Sequence, residues 1–91
     1  LQIIVSHTKD LNASSLILYP NPARDELCFR FEHTGFEPEI ISISLFDVAG
    51  QCIETFRTSE HFISLADIAR ALYIVVIKTR QGTWHGKIVH E

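Results

Sequence analysis

Leu72-Tyr73-Ile74-Val75-Val76-Ile77-Lys78 sets six consecutive apolar residues before a lysine. The run is rich in β-branched types and too short for a buried helix, so it reads as a strand covered on both faces. In a chain of 91 residues the cover must come from other strand-like runs, which predicts two packed sheets. Ile63-Ser-Leu65 and Ile68 lead into the run through a bend at Ala66 to Ala71, with room for one helical turn from Ala66-Asp67.

Working outward, Glu26 to Glu32 alternates cleanly, with Leu27, Phe29 and Phe31 on one face and Glu26, Cys28, Arg30 and Glu32 on the other. That is the pattern of a half-buried antiparallel strand. Ile40 to Asp47 is expected to turn Ile41, Ile43 and Leu45 one way and Ser42 and Ser44 the other. Asp47 to Gln51 reads as a hairpin connection in which Gly50 supplies a positive φ, and Gln51 to Arg57 is its return strand. His61 to Leu65 is a short strand. Arg80-Gln81-Gly82 closes a second hairpin into Thr83 to His90, with Trp84, Gly86, Ile88 and His90 on one face and His85, Lys87 and Val89 on the other.

Near the start, Leu16 to Tyr19 is a short strand stopped by Pro20-Asn21-Pro22, since each proline fixes its own φ and lacks an N–H. Asn21 and Pro22 fit either the cap of one helical turn or a tight turn into the next strand. His33 to Glu39 is a loop. From Leu16 on, seven short strands follow at a spacing of about ten residues, the signature of an antiparallel, immunoglobulin-like β-sandwich. Residues 1–14 read as a linker or the tail of a preceding domain, and residues 15–91 as the folded unit; the alternative makes Leu1 to Ser6 its first strand. A start at Leu1 without a signal-peptide pattern suggests a piece of a longer protein.

Composition narrows the function classes. The chain is 46% hydrophobic and 21% charged, as ordinary folded domains are, and not disordered. A net charge of -3 with eight scattered basic residues argues against nucleic-acid binding and against an anionic membrane surface. No apolar run approaches the roughly 18 residues of a membrane span. Cys28 and Cys52 either pair between sheets or serve as two small hydrophobes, and the absence of CxxC speaks against structural zinc.

His7, His33, His61, His85 and His90 stand at spacings that do not converge on one ion, so exposed histidines are expected and no metal or other cofactor. No nucleophile elbow, phosphate loop or paired acidic motif appears, so the chain is not expected to be an enzyme and has no candidate catalytic residue. Trp84 and Tyr73 fit a core, or an aromatic platform for carbohydrate or a partner protein, the rival reading of an accessory immunoglobulin-like binding module.

Four separated blocks carry a resemblance: Leu18-Tyr-Pro-Asn-Pro-Ala-Arg-Asp-Glu-Leu27, Leu45-Phe-Asp-Val-Ala-Gly-Gln51, Ile63-Ser-Leu65 with Ile68-Ala-Arg-Ala-Leu-Tyr-Ile-Val-Val-Ile77, and Gly86-Lys-Ile-Val89. In order and spacing they resemble the type A C-terminal sorting domain of the type IX secretion system, over about Ile17 to His90. The resemblance places the family's Pro-Asn-Pro turn on Pro20, Asn21 and Pro22, and its hairpin on Asp47, Gly50 and Gln51. Its Leu-Pro-x-Gly-x-Tyr block falls on Ile68 to Tyr73, and its closing strand on Lys87, Ile88 and Val89. Ala69 and Ala71 stand where the family has proline and glycine. If that glycine uses a positive φ, Ala71 costs about 1 kcal/mol or a different local geometry.

The resemblance implies a non-catalytic address on exported cargo of a Gram-negative cell, carried through the periplasm to the surface. The implied partners are the outer-membrane translocon and a sortase-like peptidase that cuts between His7 and Ser15 and anchors the cargo. Glu91 would then be the natural terminus.

Overall fold

The computed structural model describes residues 3–6, 15–32, 38–58 and 60–91, with backbone alone at 3–6 and 15. Eight strands lie among them: β1 (Ile3–Ser6), β2 (Ser15–Tyr19), β3 (Glu26–Glu32), β4 (Ile40–Phe46), β5 (Cys52–Phe56), β6 (Phe62–Ser64), β7 (Ala71–Thr79) and β8 (Gly82–His90). They form two four-stranded antiparallel sheets, one ordered β1-β2-β3-β6 and the other β5-β4-β7-β8. This is the all-β, immunoglobulin-like sandwich expected, with seven strands from Ser15 onward.

The core lies between the sheets. Leu16 and Leu18 of β2, Leu27 and Phe29 of β3, Ile43 and Leu45 of β4, Tyr73, Val75 and Ile77 of β7, and Trp84 and Ile88 of β8 are all buried. Period-two alternation accounts for each pair, because successive side chains on a strand point to opposite faces. Phe31 meets Trp84 edge-on at 4.9 Å, joining β3 of one sheet to β8 of the other.

Three expectations need correction. The run in β7 is covered on one face only: Tyr73, Val75 and Ile77 are buried, whereas Leu72 is 40% exposed and Ile74 and Val76 are half-buried. A two-layer sandwich gives each sheet one inner face, and Ile74, in register with Phe46 and Lys87, lies on the outer one. Ile41 is 45% exposed, because a register shift between Ile40 and Ser42 turns it out and sends Ile40 toward the core.

Among the histidines, His61 and His85 are exposed but His90 is buried; His7 and His33 lie outside the described residues. Trp84 and Tyr73, 1% and 3% exposed, belong to the core, the first of the two readings given for them, and offer no aromatic platform.

Smaller points resolve as well. Cys28 and Cys52 are free thiols, Cys28 facing away from the core in β3 and Cys52 opening edge strand β5 of the other sheet. The Pro20 to Asp25 segment is a turn, and both the Tyr19–Pro20 and Asn21–Pro22 bonds are cis. Ala66 to Ile68 is a turn, closed by the Ile68 N–H donating to the Leu65 carbonyl at 3.1 Å. Ala71 opens β7 in register with His90, so its Cβ sits on strand backbone. Of the predicted loop at His33 to Glu39, only Pro38 and Glu39 are described, and neither is in a strand.

Candidate functional site

Register places the sequence blocks at one end of the sandwich. Phe46, the last residue of β4, pairs with Ile74 near the start of β7, and Ala71 at that start pairs with His90 at the end of β8. The Pro20 to Pro22 turn leaves β2 toward the same end, since Ala23 forms a parallel bridge with His90. Hairpin, turn, bend and final strand therefore share one rim, across both sheets.

Their side chains divide into those that build the rim and those that face outward from it. Asp47 organises the hairpin: its Oδ1 accepts the N–H groups of Ala49 at 3.0 Å and Gln51 at 2.9 Å, while its carbonyl accepts the Gly50 N–H at 3.0 Å. Gly50 sits at φ +88°, where a side chain is strained. Gln51 takes part through its backbone and exposes its side chain, and Val48 at the tip is 75% exposed.

The final strand is held by the Pro20 to Ala23 segment. Asn21 Oδ1 accepts the Val89 N–H at 3.0 Å, the Ala23 N–H donates to the Val89 carbonyl at 2.8 Å, and the Glu91 N–H donates to the Ala23 carbonyl at 2.8 Å. Pro20 and Pro22 have no N–H to donate, and the Asn21 side chain between them supplies an acceptor for the Val89 N–H. His90 completes the clasp: Nδ1 lies 3.1 Å from the Ala23 carbonyl and Nε2 3.0 Å from the Ile68 carbonyl. The Tyr73 hydroxyl donates to the Ala69 carbonyl, tying the bend to the strand that follows it. In β8, Ile88 is core, Lys87 is exposed and Val89 is 38% exposed.

Of the residues singled out from sequence, Pro20, Asn21, Pro22, Asp47, Gly50, Gln51, Ala71, Tyr73, Lys87, Ile88 and Val89 all stand on or beside this rim. His90 and Ala23 were missed. The signal for His90 lay in its own strand, where Trp84, Gly86 and Ile88 on the same face predicted burial.

Beside the clasp an open cleft of about 560 Å³ is lined by Arg24, Asp25, Leu65, Ala66, Ile68, Arg70, His90 and Glu91. No group of three or more potential metal ligands exists among the described residues. The Cys28 thiol pKa is raised above its ordinary value, first by burial and then by the neighbouring Glu26 carboxylate, both of which disfavour the thiolate.

No curated protein and no solved structure shows a significant match to this chain. The secretion system C-terminal sorting domain family matches residues 17–91, which begins inside β2 and takes in every element of the rim. With that match over most of its length, the chain belongs to this family, the C-terminal sorting signals of type IX secretion.

Proposed function

We propose that residues 15–91 act as a non-catalytic address: they direct a cargo joined ahead of them through the type IX machinery, by way of the periplasm, to the cell surface. On this reading residues 1–14 are the linker or the cargo's tail. The outer-membrane translocon reads the rim, and a sortase-like peptidase cuts between His7 and Ser15 and anchors the cargo. The single observation that supports it best is the clasp of Asn21, Ala23 and His90 on the end of β8, which joins the turn after β2, the bend at Ile68 and the final strand. A receptor can then read them together.

The test joins a periplasmic reporter to residues 1–91 in a host with this secretion system. Surface display of the reporter is expected, and its loss on deleting Lys87 to Glu91. Display that survives that deletion overturns the proposal. Mass spectrometry of the displayed reporter locates the cut, expected between His7 and Ser15.

A further inference from the structure

We propose that the outer edge of β2 is a strand-acceptor site, filled in this chain by its own Ile3–Ser6 and open, once that strand leaves, to an extended β-branched strand supplied by a partner protein. β2 is an interior strand only because β1 lies on it, through the pairs Ile3↔Leu18, Ile4↔Ile17, Val5↔Leu16 and Ser6↔Ser15. Its sequence, Ser-Leu-Ile-Leu-Tyr, has no charge and no proline. Stripped of β1 it would present a flat apolar edge, the kind that natural sheets shorten, charge or bulge to keep unpaired.

The other edges carry such devices. β6 is three residues long, β5 carries Glu54 beside a register shift at Leu45/Phe46, and β8 is closed at its end by the bridge to Ala23. β2 has no such device in its own sequence and relies on its covering strand.

The occupant lies wholly outside the unit that the family match defines, whereas the acceptor lies within it from Ile17 to Tyr19, since the match begins at Ile17. The chemistry of what fits follows from the acceptor and its present cover. Leu16 and Leu18 are fully buried and face the core, and the strand now seated there reads Ile-Ile-Val-Ser. Main-chain pairing supplies affinity for any extended segment, and β-branched residues match the pleated, half-buried position beside β2. The inference rests on strand pairing alone, so its failure leaves the sorting reading untouched.

The test uses the full chain carrying Ile4→Pro and Val5→Pro together. Neighbouring residues on a strand aim their N–H groups to opposite sides, so one of the two prolines removes a bond to β2 whichever side each faces. The β2 amides are expected to lose protection against hydrogen exchange while Trp84 emission stays that of a buried indole. A labelled peptide of residues 1–8 should then bind saturably, about tenfold tighter than the same peptide with both prolines, because proline removes a ladder bond and its ring resists pairing. The unsubstituted chain, its edge already filled, should bind the peptide more weakly than the variant. Unchanged β2 protection, exposed β2 amides without peptide binding, or a dimer of the variant that shuts the peptide out would each overturn the proposal. If the variant loses its Trp84 signature, a protease sequence placed between Lys9 and Ser14 of the otherwise native chain serves instead. After cutting, exchange of the released strand for labelled peptide supports the site, and a strand that stays fixed or departs without replacement overturns it.

Discussion

Asp47 and Gly50 make the same turn by different means, one through acceptors and the other through backbone freedom. A Cβ at Gly50 would meet nothing within 4 Å, so Gly50→Ala is purely a backbone effect, expected to cost about 1 kcal/mol in denaturant unfolding. Asp47→Ala, which strips two N–H groups of their acceptor, should cost about as much, and Asp47→Asn should recover most of it. His90→Ala leaves two carbonyls without their ring partner at a buried position and should cost about 2 kcal/mol, measured the same way. The thiols should separate in reactivity. Exposed Cys52 should react with a maleimide well before Cys28, whose raised thiol pKa also makes its rate climb only at higher pH than an ordinary cysteine's.

Strand β7 shows how one apolar run divides between two environments. Val75 is fully buried and Val76 only half-buried, although they are chemically identical neighbours. Val75→Lys would place a charge in the core and should abolish cooperative folding, whereas Val76→Lys should change stability by less than about 1 kcal/mol. Thermal melts of the two variants check this. Counting apolar residues alone overstated the cover. Alternation was the better guide in β3 and β8, where Glu26 and Arg30, and His85 and Lys87, mark the outer face.

For the molecule as a whole, the rim brings together two kinds of residue: those that hold it together and those left outside. Lys87 and Val89 point away from the core, while Ile88 between them is fully buried. If the rim is read by a receptor, Lys87→Glu with Val89→Asp should lower surface display of a fused reporter while leaving the melting temperature nearly unchanged. Ile88→Asp should lower both. Parallel measurement of display and of thermal unfolding in purified protein separates recognition from folding.

Patterns local in sequence settled the class of fold, the hairpin with its positive φ at Gly50, and the separated blocks that carry the family likeness. These depend on period-two alternation, turn residues and spacing, all of which act between near neighbours. The clasp was decided by tertiary structure, because Asn21 and Val89, or Ala23 and His90, lie at opposite ends of the chain and meet only when both sheets have closed. So was the half-covered face of β7, along with the turning out of Ile41, since only the number of layers and the register between strands determine which side of an apolar run finds a partner.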